Sequence, residues 1–88
     1  MPAPEIAVRI HHRLVQIHPF ENGNGRWARL AANIYLRGNS RAPIRWPAQE
    51  EFVTDELRRQ YLASLKEADR GHYLPLFELH RRFSDEGE

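Results

Sequence analysis

The feature that most constrains this chain is its punctuation. Pro19 with Gly23 and Gly25, then "RGN" at Arg37–Asn39, then Pro43 and Pro47, then Gly71 and Pro75 divide 88 residues into four stretches of helix length. Proline removes a backbone donor and biases its predecessor away from the helical region, while glycine accepts the left-handed angles that end helices. Between the breaks, apolar residues recur at helical spacing. Ile6, Ile10, Leu14 and Ile17 form one stripe of a helix that Pro19 should stop near His18. Met1–Pro4 reads as a frayed lead-in, with Pro4 suited to a first helical turn. A second helix should run from about Asn24 to Arg37, with Trp27, Leu30, Ala31 and Ile34 on one face. After a loop over Ser40–Gln49, a third fits Glu50–Arg70 on Leu57, Tyr61, Leu65 and Ala68, and Gly71 ends it. Leu74–Phe83 makes a short fourth, with Pro75 near its start. No segment alternates at period two, so the expected class is all-α. Most stripe residues, Trp27, Tyr61 and Phe77 included, are expected in the core.

Composition narrows the function. A net charge of +1, with acids and bases interleaved, provides no whole-protein field for nucleic acid, and no direct nucleic-acid binding is expected. The absence of cysteine excludes disulfide and thiolate chemistry and fits a reducing, cytoplasmic setting. No apolar run reaches membrane-spanning length, and "MPAPEIAVRI" lacks a signal-peptide core, so no membrane partner is expected. His11 and His12 are adjacent, face different directions and lack a completing ligand set, so they are read as surface residues. "RAPIRWP" is read as packed loop, with Trp46 as a lid over the core.

The chemistry concentrates in "HPFENGNGRWAR", His18–Arg29. Gly23 and Gly25 let successive N–H groups converge on one point, and the start of the next helix adds unpaired donors and a positive dipole end. That combination suits a phosphate. Arg26 and Arg29, three apart on that helix, offer guanidinium forks for the rest of a polyphosphate. His18, held at the helix exit by Pro19, is placed to serve as a base. Taken singly, each element has a plainer reading: an Asn-Gly turn, a capping histidine, a solvated arginine face. Their coincidence in twelve residues favours the anion site. The segment is neither a Walker A loop nor a dinucleotide fingerprint, because the required Gly-Lys-Ser/Thr ending and the preceding strand are both missing.

The same residues resemble the Fic signature, H-P-F-x-(D/E)-G-N-(G/K)-R-x-x-R, of the Fic/Doc (Fido) superfamily. His18, Pro19, Phe20, Gly23, Asn24, Gly25, Arg26 and Arg29 fall on that pattern. "YLASLKEADRGHYLPLF", Tyr61–Phe77, resembles a segment found near the end of Fic domains, with Asp69 read as a brace for the last helix. Within the superfamily, the N-G-N-G form is most similar to the mobile mystery protein B group. The resemblance implies a Fic-type helical bundle core in which residues 1–83 form the C-terminal part of a Fic domain. It also implies that 84–88 is a flexible tail, and that the family's earlier helices and flap hairpin are lacking here.

The implied activity is protein adenylylation, the transfer of AMP from ATP with Mg2+ to a Ser, Thr or Tyr hydroxyl of a target protein. In that scheme His18 is the catalytic base, Gly23, Asn24 and Gly25 form the anion hole, Arg26 and Arg29 orient the β/γ end, and Phe20 anchors the loop. Asn22 stands where the family has an Asp or Glu metal ligand. Its amide lacks the charge of a strong hard-cation site. Weak metal binding through Asn22, compensation by Glu21, and a nucleotide held but slowly turned over all remain open, with metal-sensitive activity favoured. Two alternatives stay beside adenylylation. A Doc-type phosphotransferase moves the γ-phosphate, but favours lysine where this chain has Gly25; a non-catalytic nucleotide- or protein-binding module is the other. A toxin–antitoxin-like arrangement would add an inhibitory helix or antitoxin whose glutamate pairs with Arg29. Ser84–Glu88 has the Ser-to-Glu spacing of that inhibitory motif but reads better as an acidic tail. An oligomer is left open.

Overall fold

The computed structural model describes residues 1–17, 24–47 and 55–84. Among them are four helices: α1 (Ala3–Ile17), α2 (Asn24–Gly38), α3 (Asp55–Asp69) and α4 (Leu74–Arg82). The only β feature among the described residues is an isolated antiparallel bridge between Ile44 and Ser84, so the chain is all-α as expected. Two compact units divide it, Met1–Pro43 and Ile44–Glu88. His18–Gly23, the start expected for α3 over residues 50–54, and residues 85–88 of the expected tail lie outside the described residues.

In the first unit α1 begins one residue before Pro4 rather than after it. The Pro2 carbonyl accepts from the N–H groups of Glu5 and Ile6, at 3.0 and 3.1 Å. Pro4 costs nothing there, because a first-turn N–H has no intrahelical partner to lose. α1 and α2, each of 15 residues and joined by a six-residue link, pack along one another as an antiparallel hairpin.

The faces that meet differ from the expected ones. On α1 the buried residues are Ala7, Val8, His11 and His12, while Ile6, Ile10 and Leu14 are half-buried and Ile17 is exposed. His11 and His12, expected at the surface, are 0% and 4% exposed. On α2 the buried residues are Ala28, Ala32 and Leu36, whereas Trp27, Leu30 and Ile34 of the expected core stripe are 68%, 48% and 62% exposed. The physical reason is closeness of approach. Two alanines one turn apart let a neighbouring helix come in tightly, and α1 buries Ala7, Val8 and its two histidines rather than its isoleucines. α2 is apolar on two sides, and the side with small residues is the one that packs.

The second unit packs with aromatic rings. Tyr61 and Leu79 are buried, with Trp46, Leu57, Leu65 and Phe83 against them. Trp46 meets Tyr61 and His80 edge-on at centroid distances of 6.4 and 5.1 Å, and Phe83 at 5.8 Å, which makes it the expected lid. The Arg45 N–H donates to the Phe83 carbonyl at 2.7 Å and pins the loop beneath that lid. Burial of His80 lowers its pKa from 6.5 to about 4 by desolvation, so the ring is neutral at physiological pH.

Two helices end in the same hydrogen-bonded motif with different residues. At α3, Gly71 takes φ 87° while the N–H groups of His72 and Gly71 donate to the carbonyls of Glu67 and Ala68. At α2, Arg41 and Ser40 donate in the same way to Leu36 and Arg37, yet the left-handed residue is Ser40, at φ 60°. The helix therefore runs through Gly38, and the stop is made by a residue that bears a side chain.

Candidate anion site at the start of α2

Four of the predicted site residues are carried by α2. Asn24 opens the helix, Gly25 follows, and Arg26 and Arg29 stand on its first two turns, Arg26 exposed and Arg29 half-buried. His18, Asn22 and Gly23, with Phe20 and Glu21, lie outside the described residues.

The electrostatics of this helix start are unusual. α1 places Glu5 in its first turn, where a carboxylate meets the positive end of the dipole. The first turn of α2 has no acid, and Arg26 there is of the wrong sign for the dipole. A cation at a helix N-terminus is unfavourable by a few tenths of a kcal/mol or more unless an anion binds between them. The wider unit sharpens this: residues 1–43 hold six arginines against Glu5 and Glu21. A helix N-terminus with arginines on its first two turns and no acid in its first turn is a candidate site for an anion.

For a divalent cation the fit is poorer. Among the described residues no group of three His, Cys, Asp or Glu side chains is placed to hold a metal ion. The position assigned to Mg2+ by resemblance holds the neutral amide of Asn22. An open groove of about 890 Å3, lined among others by Gln60, Ser64, Glu67, Glu78 and Arg82, belongs to the second unit and contains none of the signature residues. His12, read from the sequence as a surface residue, is nearly fully buried in α1.

The class this defines is an all-α helical domain with a candidate anion site at a helix start, and comparison with known proteins adds a family. Residues 1–36 match the model of the Fic/DOC family. "Protein adenylyltransferase fic-1" of Caenorhabditis briggsae and its namesake in Caenorhabditis elegans are each 38% identical over 71 residues, 81% of this chain and 13% of theirs. "Protein adenylyltransferase Fic" of Drosophila mojavensis is 39% identical over 69 residues, 78% of this chain and 12% of its own length. Residues 1–36 are thus Fic/DOC-family sequence, and the likeness to these relatives runs over about four-fifths of the chain. The chain spans about an eighth of the length of these curated relatives. No solved structure matches it. No helix among the described residues is long and apolar enough to cross a membrane.

Proposed function

We propose that this chain carries the phosphate-holding part of a protein adenylyltransferase site, which moves AMP from ATP to a Ser, Thr or Tyr hydroxyl of a target protein. The observation that carries the reading is the start of α2: Arg26 and Arg29 beside a helix N-terminus with no acid in its first turn. The names of the relatives supply the reaction class. The absence of cysteine fits a cytoplasmic protein.

In this reading the target hydroxyl gives its proton to His18 as its oxygen attacks the α-phosphorus of ATP. The bond to the bridging oxygen breaks and pyrophosphate leaves. Charge builds on non-bridging oxygens, so the N–H groups of Gly23, Asn24 and Gly25 and the two guanidiniums supply most of the stabilisation. The base adds a factor of roughly 10²–10⁴. Mg2+, when bound, would neutralise charge on the phosphates, and Asn22 or its neighbour Glu21 would be the residue to hold it. A neutral amide holds the ion less firmly than a carboxylate, so turnover should be sensitive to Mg2+ concentration. The Arg29 guanidinium is also where an inhibitory helix or antitoxin would lay a carboxylate.

The test is incubation of the intact protein and its target with ATP labelled at the α or the γ phosphate. Label from the α position, lost in His18→Ala while ATP binding persists, supports adenylylation. Label from γ assigns a Doc-type phosphotransferase instead. Incorporation of neither leaves a binding module, the reading that the amide at Asn22 favours. Asn22→Asp should raise turnover and lower the Mg2+ requirement; an unchanged rate would remove the metal site as the limiting step.

A further inference from the structure

His12 is nearly fully buried in α1, and no role for it in the proposed site has yet been assigned. A histidine ring is a costly filler unless its nitrogens are satisfied. Where it lies suggests the partner. In an antiparallel hairpin, residues equally far from the connecting turn are level with each other. His12 and Arg29 each stand five residues from the turn-facing end of their helix, about 7.5 Å along each axis. They also come out on the same edge. His12 follows the centre of the α1 face formed by Ala7, Val8 and His11 by about 90°, and Arg29 follows the centre of the α2 face formed by Ala28, Ala32 and Leu36 by about 60°, at 100° per residue. An antiparallel pair has an approximate two-fold axis across it, so side chains displaced in the same sense emerge on the same edge. Arg29 is half-buried there although its head is charged.

The geometry points to His12 as a positioning residue for Arg29: the unprotonated ring nitrogen of His12 accepts from the Arg29 guanidinium and aims it at the phosphate end of the site. A guanidinium has five donors and no acceptor, so an imidazole lone pair is a suitable fixed partner that leaves the other donors for phosphate. Holding the fork before the ligand arrives removes part of the side-chain entropy that binding would otherwise cost. The inference rests on the proposed phosphate site, and the experiment separates the two.

The intact protein is titrated calorimetrically with ATP in five forms: wild type, Arg29→Ala, His12→Met, His12→Gln, and the double variant His12→Met/Arg29→Ala, with thermal melts of each. Methionine keeps volume and apolar packing but loses the strong acceptor; glutamine restores one at similar reach. The expected result is a roughly tenfold weaker Kd for His12→Met, recovery to within about threefold of wild type for His12→Gln, and a double variant no weaker than Arg29→Ala alone. A merely structural role would lower both histidine variants alike and would add to the loss in the double variant. That pattern, or unchanged binding in His12→Met, overturns the inference while leaving the phosphate site standing. If wild type itself fails to bind ATP, the proposed function falls first.

Discussion

The two units of this chain build their interiors from opposite materials. The first buries two imidazoles, a valine and small alanines and turns Trp27, Leu30 and Ile34 outward. The second buries Tyr61 and Leu79 under Trp46 and Phe83. Their charge differs as well, with six arginines against two glutamates in residues 1–43 and seven Lys and Arg against ten acids in residues 44–88. Close helix approach through alanine suits a pair of long helices packed side by side. Ring packing suits one whose work is to close a helix pair over a loop. Residue type alone therefore does not say where a side chain lies: one tryptophan is a lid and the other faces outward.

The sharpest way to break this contrast is to truncate both tryptophans. Trp46→Ala should cost about 3–4 kcal/mol, because it removes three ring contacts and leaves a cavity beneath the loop. Trp27→Ala should stay within about 0.5 kcal/mol in the same denaturant titration. Equal losses would mean that Trp27 is not an outward residue.

Acid probes the second unit next. His80 has a folded pKa of about 4 against 6.5 unfolded, so between those values the unfolded chain binds more protons. Stability is whole above pH 6.5, declines as pH falls, and levels off below about 4, for a total loss of about 3 kcal/mol. Chemical denaturation at half-unit pH steps should trace this fall, and His80→Leu should flatten it. A slope unchanged in that variant would assign the acid sensitivity to other groups.

How much of this was legible in the sequence divides by range. The end of α3 and the start of α4 were, because Gly71 and Pro75 act on their immediate neighbours, whereas α1 starts before Pro4 and α2 runs on through Gly38. The stripe of α3 was too, since Tyr61 and Ala68 are buried and Leu57 and Leu65 half-buried. The packing faces of α1 and α2 were not. Both helices are apolar on more than one side, and the choice between sides depends on how closely the partner can come, a property of Ala28 and Ala32 that no spacing within α1 reveals. Of the candidate site, Asn24, Gly25, Arg26 and Arg29 stand on the first two turns of the helix expected from about Asn24, while the role proposed for His12 needed the register of two helices.

If the alanine seam sets that register, enlarging it should disturb the first unit alone. Ala32→Leu forces three extra side-chain heavy atoms into a fully buried site and should cost about 2 kcal/mol. The accompanying readout is ATP affinity, which should fall with the displaced α2 start. A well-folded Ala32→Leu variant of unchanged affinity would separate the seam from the site.

The smallest effect lies at the two helix ends, where the units share one motif and differ in one residue. Gly71→Ala puts a Cβ on a residue at φ 87° with nothing within 4 Å, so its cost is backbone strain alone, about 1–2 kcal/mol. Ser40 already bears that strain at φ 60°. Ser40→Gly should relieve it, less the extra freedom glycine gives the unfolded chain, for a net gain of about 0.5–1 kcal/mol. Thermal melts of the two variants should therefore move in opposite directions. Should Ser40→Gly melt lower than wild type, the serine side chain itself must contribute to ending α2, and the two helix ends are alike in hydrogen bonding only.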